Sequence, residues 1–246
     1  AVGGGGRVVK YDLEGNVVWK STEKPYSYYG VTTIDDGIVA VGWSGEVVKY
    51  DFNGNVIWEK IEESYCYKDV AKVSDGVIAV GNQGKITKYD FSGETIWKKE
   101  EPKYTYRAVT AVDDGVITVA DGGIVIKYDL AGNVVWKNTE KSHSYSNVVT
   151  VSDGIIAVNG LSLDTIGEVV KYDFNGNVVW ENTEKKYQFQ GLTAVEDGVV
   201  ATGVKGKVIK YDLSGNIVWE NTEKTYEYEE IIAVEDGLIA VCYNGQ

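Results

Sequence analysis

The sequence predicts an all-β chain: a six-bladed β-propeller with four antiparallel strands per blade and a last blade shared between the N- and C-termini. Three observations carry this prediction. They are a repeat of 39 residues, period-two strands bounded by Asp-Gly and Asn-Gly turns, and chain ends that are complementary halves of one repeat.

The repeat is read from Lys-Tyr-Asp, whose tyrosine recurs at Tyr11, Tyr50, Tyr89, Tyr128, Tyr172 and Tyr211, in steps of 39, 39, 39, 44 and 39. A tryptophan follows each, at Trp19, Trp58, Trp97, Trp136, Trp180 and Trp219. The one long step holds an insertion around Leu161-Ser162-Leu163-Asp164-Thr165. Such a period signals units that bury their apolar faces only against one another.

Within a unit, Tyr28-Tyr29-Gly30-Val31-Thr32-Thr33-Ile34 reads as a first strand, closed by Asp35-Asp36-Gly37. Ile38-Val39-Ala40-Val41 is the second, ended by Gly42-Trp43-Ser44-Gly45. Val47-Val48-Lys49-Tyr50 is the third, and Asp51-Phe52-Asn53-Gly54 turns the chain into Asn55-Val56-Ile57-Trp58. Asp-Gly and Asn-Gly between β-branched runs are strong hairpin signals. No apolar i, i+3, i+4, i+7 pattern persists, so no helix is expected. Four strands per unit fit a propeller blade, and the tryptophan is the expected wedge between blades.

The ends fit together. Leu238 to Gln246 supplies the first half of a blade and stops; Arg7 to Trp19 supplies the second half. Joining them would remove an open sheet edge. Ala1-Val2-Gly3 duplicates Ala240-Val241-Cys242 in register, and the N-terminal copy, with its four glycines, is expected to be the redundant and loosely held one. The whole chain, 1–246, is expected to be one domain.

Composition narrows the function classes. The formal net charge is −13, and without a clustered Lys/Arg stripe nucleic acid is excluded as an expected partner. No apolar run reaches the roughly 20 residues of a bilayer span, so no membrane insertion is expected. Cys66 and Cys242 fall at different repeat positions in blades that are not neighbours, which argues against a disulfide. The chain opens on Ala1 with no signal peptide, which suggests a removed leader or a domain cut from something longer.

Lys-Tyr-Asp-x-x-Gly-Asn-x-x-Trp, preceded by Asp-Gly-x-Ile-Ala-Val-Gly, resembles the repeat of bacterial secreted and cell-surface β-propellers. It is more distantly similar to the quinoprotein (PQQ-like) blade, with Asp51, Gly54 and Trp58 at matching places. The resemblance implies a propeller whose first strands lie nearest the axis, and it carries no particular activity. It points to secretion or the cell surface, while unpaired cysteines suit a cytoplasm equally. Quinoprotein dehydrogenases have larger rings, a calcium site and a vicinal cysteine pair, so neither cofactor nor catalysis is transferred.

The invariant turn residues have structural readings. Asp12, Asp51, Asp90, Asp129, Asp173 and Asp212 each open a turn whose glycine takes positive φ. His143, the single histidine, stands where other repeats have Tyr26, Tyr65, Tyr104, Tyr187 and Tyr226, and no second ligand at metal spacing accompanies it. No Ser/His/Asp or Cys/His constellation and no phosphate loop is present. No catalytic residues, metal or cofactor are therefore expected.

The repeats differ in their second-to-third-strand turns and their inter-blade connections, which an up-and-down meander places on one face. Loops on a rigid scaffold are where function concentrates. An aromatic-x-aromatic step opens each blade on that face; its second member is expected to pack between blades and its first to face a ligand. The binding candidates are Tyr26, Trp43, Tyr65, Tyr104, His143, Tyr187, Tyr226 and Tyr243. The expected function is a monomeric, non-enzymatic binding module for protein or peptide. A carbohydrate-binding propeller is the alternative; an enzyme or a structural spacer ranks lower.

Overall fold

The computed structural model describes residues 2–3, 6–12, 14–62, 65–160, 167–184, 188–222 and 227–242. Its strands follow the repeat. The first three are β1 (Val2–Gly3), β2 (Arg7–Tyr11) and β3 (Val17–Lys20), in one three-stranded sheet of order β1-β2-β3. Then come β4 (Tyr28–Ile34), β5 (Gly37–Gly42), β6 (Glu46–Asp51) and β7 (Val56–Ile61), followed by β8 (Tyr67–Val73), β9 (Gly76–Gly81), β10 (Lys85–Tyr89) and β11 (Thr95–Glu100). Next are β12 (Tyr106–Val112), β13 (Gly115–Ala120), β14 (Ile124–Asp129) and β15 (Val134–Asn138), then β16 (Tyr145–Val151), β17 (Gly154–Asn159), β18 (Gly167–Tyr172) and β19 (Val178–Glu184). The chain continues through β20 (Phe189–Val195), β21 (Gly198–Gly203), β22 (Lys207–Asp212) and β23 (Ile217–Thr222) to β24 (Tyr228–Val234) and β25 (Gly237–Cys242). From β4 to β23 each successive set of four forms its own sheet in chain order, and β24-β25 form a two-stranded sheet. Among the described residues the helical turns are two three-residue 3-10 segments, Asn82–Gly84 and Val204–Gly206, where the sequence shows no helix.

The chain falls into two compact units, Ala1–Val116 with Tyr128–Asn133 and Ile117–Lys127 with Val134–Gln246. In the first, apolar side chains of one sheet meet those of the next. Ile34, Val39, Val41 and Val47 pack against Tyr67, Val70, Val77, Ala79 and Tyr89, with Trp58 and Phe91 alongside. Val8 packs with Tyr28, Ala40, Val48 and Tyr50 in the same manner. In the second unit, Ile156, Val158 and Val169 meet Phe189, Leu192, Val199, Ile209 and Tyr211. These cores lie between sheets, as thin four-stranded units require. The second aromatic of the opening step is buried, as expected, at Tyr28, Tyr67, Tyr106, Tyr145 and Phe189, while Tyr228 is only partly buried, and in four repeats its hydroxyl meets that of the third-strand tyrosine. The pairs are Tyr28–Tyr50 at 2.9 Å, Tyr67–Tyr89 at 3.1 Å, Tyr106–Tyr128 at 2.6 Å and Tyr145–Tyr172 at 2.6 Å.

Trp19, Trp58, Trp97, Trp136 and Trp180 do wedge between neighbours, half-buried rather than fully so. Their indole N–H groups each donate to a carbonyl in the next repeat's turn: Trp19 to Phe52 at 2.9 Å, Trp58 to Phe91 at 3.1 Å and Trp97 to Leu130 at 2.9 Å. Trp136 to Phe174 at 2.8 Å and Trp180 to Leu213 at 2.9 Å repeat the bond in the second unit. The turn's glycine lies under the ring. At Gly93, where φ is +90°, an added Cβ would sit 2.7 Å from the Trp58 ring.

The termini require a correction. The sequence predicts that Ala1-Val2-Gly3 is redundant and that the C-terminal copy pairs with Arg7–Tyr11. Instead Val2 pairs with Val8 and Gly3 with Arg7, the register that Val41 and Val47 share between β5 and β6. The two halves of the last repeat thus stand in separate sheets among the described residues.

Candidate functional site

The site is built at the edge where the first unit carries its second-to-third-strand turns. In each first strand the ladder slips by one residue, between Tyr28 and Gly30 in β4 and between Tyr67 and Asp69 in β8. The extra residues, Tyr29 and Lys68, are thrown out of the ladder, as β-bulges re-aim side chains. They meet: the Lys68 ammonium lies 4.3 Å from the Tyr29 ring centroid and 5.6 Å from that of Trp43. Trp43, on the β5–β6 turn, stands 6.1 Å from Tyr29 and is 58% exposed.

Trp43 and Ser44 line a cavity of about 300 Å³ with Tyr65 and Cys66 from the β7–β8 connection and Asn82 and Gln83 from the 3-10 turn before β10. Backbone bonds fix these walls. Trp43 N–H donates to Ser27 O and Asn82 N–H to Cys66 O, each at 2.9 Å. Gln83 is held at φ 57°, in the left-handed region that few side chains adopt. The structure therefore brings together two of the sequence-predicted residues, Trp43 and Tyr65. Cys66 is a free, buried thiol pushed up in pKa chiefly by burial.

The other candidates are employed differently. Tyr65 donates its hydroxyl to Glu100 at 2.9 Å and carries the Lys85 ammonium 3.3 Å from its ring centroid; the Glu100 bond raises its pKa first. Lys85 itself is wholly buried and paired with Glu62. Tyr26 is bound through its hydroxyl to Glu59, which also pairs with Lys24 at 2.8 Å. Tyr104 is buried against Tyr106 and lines no part of this cavity, so the ligand-facing role expected of it is not where the structure puts it. His143 pairs with the buried Glu168, Nδ1 to Oε1 at 3.2 Å. Tyr187, Tyr226 and Tyr243, and residues 161–166 of the long loop, lie outside the described residues.

Sequence reasoning missed Tyr29 and Lys68. An aromatic at Tyr29, where other repeats have Lys68, Arg107, Ser146, Gln190 and Glu229, was the available signal. Among the described residues no cluster of three His, Cys, Asp or Glu side chains has metal-holding geometry, and no helix is long and apolar enough to cross a membrane.

A second cavity, of about 400 Å³, lies in the second unit between β20–β23 and β24–β25. Lys210 and Trp219 line it. Their counterparts Lys171 and Trp180 share the Leu213 carbonyl, at 2.8 and 2.9 Å.

The sequence model of the outer membrane protein assembly factor BamB family matches residues 66–241. The chain belongs to this family. No curated protein matches it. Among solved structures, BamB from Moraxella catarrhalis aligns with a TM-score of 0.72 at 20% identity, covering 98% of this chain and 77% of that one. The Cps50 (Swd1) β-propeller domain of Myceliophteria thermophila aligns at 0.80 and 12% identity, covering 98% of this chain and 88% of that one. The C-terminal WD40 domain of Sif2 aligns at 0.81 and 12% identity, covering 98% and 74%. At these identities the likeness establishes the fold, a β-propeller with PQQ-like repeats.

Proposed function

We propose that this BamB-family chain is a non-enzymatic protein-interaction module that takes peptide segments at the edge formed by the Trp43 cavity. One observation carries the reading. An indole left 58% exposed stands over a rigid, concave wall that offers two primary amides, Asn82 and Gln83. A large, stiff aromatic gives contact area at small entropic cost, and side-chain amides pair with a peptide backbone through one donor and one acceptor. The family name supports the choice of protein as partner, since assembly factors act on other chains.

The test is selection of binders from a random peptide display library, followed by binding to Trp43→Ala and Asn82→Ala. Loss of at least tenfold in affinity, about 1.4 kcal/mol, with an unchanged melting temperature supports the reading. Selected peptides that bind both variants as tightly as the native chain overturn it. The same exposed indole flanked by Ser44, Asn82 and Gln83 also suits a sugar ring; binding on a glycan array that Trp43→Ala abolishes, with no peptide selected, would favour that alternative.

The reading includes a ring of six blades in a single domain, its last blade completed when β25 takes the edge of β2 now held by β1. Exposure supports this. Tyr11 is 50% exposed, whereas its counterparts Tyr50, Tyr89, Tyr128, Tyr172 and Tyr211 are at 0–2%. Ile239 and Val241, at 55% and 56%, have counterparts Val39 and Val41 at 0%. The family name, an outer membrane protein assembly factor, supports a place at the cell surface.

A further inference from the structure

We infer that the Trp43 cavity receives a cationic side chain, lysine or arginine, from the bound peptide. This rests on the peptide-binding reading and adds the chemistry of the partner.

The argument starts from Glu46, the first residue of β6. Its carboxylate is 0% exposed, yet only one oxygen is used: Oε2 accepts the Ser44 N–H at 2.9 Å, while Oε1 has no hydrogen-bond partner. A buried carboxylate oxygen without a donor is costly, so such an oxygen signals a group that arrives from elsewhere. Ser44 is a wall of the cavity, and Cys66, another wall, has a thiol on which the Glu46 charge acts.

The chain contains its own template for what completes this group. Glu168, the second residue of β18, holds the place in its repeat that Glu46 holds in β6. Its Oε1 faces His143 Nδ1 at 3.2 Å, and its Oε2 accepts the Asn159 amide at 3.4 Å. His143 stands where the first repeat has Tyr26, and the Tyr26 hydroxyl is committed to Glu59. One repeat therefore supplies a nitrogen donor to its buried glutamate from within, and the other does not. Nitrogen donors that also favour a carboxylate are ammonium, guanidinium and imidazolium.

The cavity's two rings, Trp43 and Tyr65, suit the same guest. Trp43, with Tyr29 beside the cavity, already holds the Lys68 ammonium against its face, and Tyr65 holds that of Lys85, so these aromatics accept cations. Lys68, beside Trp43, opposes a second positive charge, whereas Glu46, behind the Ser44 wall, attracts it. The net charge of −13 favours approach of a basic segment.

The two opposing charges give the experiment its sign. The Trp43 indole N–H resonance, assigned by its loss in Trp43→Phe, is followed by NMR during titration with Ac-Ala-Lys-Ala-NH2, Ac-Ala-Gln-Ala-NH2 and Ac-Ala-Glu-Ala-NH2. The lysine peptide is expected to bind about tenfold more tightly than the glutamine peptide. Glu46→Gln, which keeps an acceptor for Ser44 N–H, should erase that preference, and Lys68→Gln should strengthen lysine binding. Equal binding of all three peptides, an unchanged preference in Glu46→Gln, or weaker lysine binding in Lys68→Gln overturns the cation assignment while leaving peptide recognition intact. No shift with any peptide overturns both.

Discussion

Asp51 shows how much a single side chain organises. Its Oδ1 accepts the N–H groups of Asn53 at 2.8 Å and Asn55 at 2.9 Å, and its Oδ2 accepts the Asn55 amide at 2.8 Å. The Asn55 bonds hold its pKa below the usual carboxylate value, and Asp12, Asp129 and Asp212 are lowered by the matching asparagines. A carboxylate with a depressed folded pKa adds stability above its unfolded pKa and loses it as pH falls through the folded value. Asp69 runs the other way. Its residue is only partly covered, but its carboxyl is drawn inward to accept Val70 N–H at 2.8 Å and Val109 N–H at 2.9 Å. Burial outweighs those bonds and raises its pKa to about 6. A raised carboxyl pKa gives a contribution fully present below the unfolded pKa of about 4 and lost as pH rises through 6. Urea unfolding between pH 4 and pH 7 should show native stability falling by roughly 1–3 kcal/mol relative to Asp69→Asn; parallel curves for the two proteins would contradict the assignment. Gly93 offers a second residue-scale test. Gly93→Ala meets both a φ of +90° and the Trp58 ring, whereas Gly122→Ala meets a φ of +75° in open space. The first should cost about 2–4 kcal/mol and the second about 1 kcal/mol, read from urea midpoints.

At the scale of the element, four pairs of neighbouring sheets are each joined by two side chains, a lysine and a tryptophan, that converge on one carbonyl. Lys88 and Trp97 both donate to Leu130 O, at 3.1 and 2.9 Å, and Lys88 also pairs with Asp75 at 2.8 Å. Lys88 is nearly fully buried while Asp75 keeps more than half its surface in water. Removing the lysine therefore leaves a solvated carboxylate and a carbonyl still served by Trp97. Lys88→Met, which refills the volume, should change stability by less than about 1 kcal/mol. Trp97→Ala removes the ring over Gly132 as well as the bond, and should cost about 2–4 kcal/mol in the same measurement. The strands, turns and inter-sheet tryptophans were legible in the sequence because period-two patterning and Asp-x-x-Gly-Asn turns are local signals. Lys88 was not, since a lysine in an alternating strand reads as a solvent-facing residue until the neighbouring sheet supplies its acceptors. The site was half legible for the same reason. Trp43 and Tyr65 stand out in variable segments, but Tyr29 and Lys68 become neighbours only through bulges in two different strands, and the burial of Glu46 is a property of its surroundings.

At the scale of the whole molecule, the repeat sets a test of closure. Five tryptophans rest on the turn of the following repeat; Trp219 is 38% exposed, and at Gly15, the glycine in the matching position, an added Cβ would meet nothing within 4 Å. The duplicated segments Ala1-Val2-Gly3 and Ala240-Val241-Cys242 compete for one edge of β2. Proximity favours the first and the completion of a blade favours the second. Completion would cover Tyr11, Ile239, Val241 and Trp219 together, and full burial of one such side chain contributes roughly 1.5–3 kcal/mol, which outweighs a loop-closure difference that grows only logarithmically with length. Deleting residues 1–6 should therefore raise the melting temperature or leave it unchanged, with elution as a monomer at all concentrations. In the closed ring Trp219→Ala should destabilise as much as Trp180→Ala, by about 2–4 kcal/mol. A Trp219→Ala effect under about 1 kcal/mol would show the halves apart, and concentration-dependent dimers would show the edge of β2 taken by a second copy.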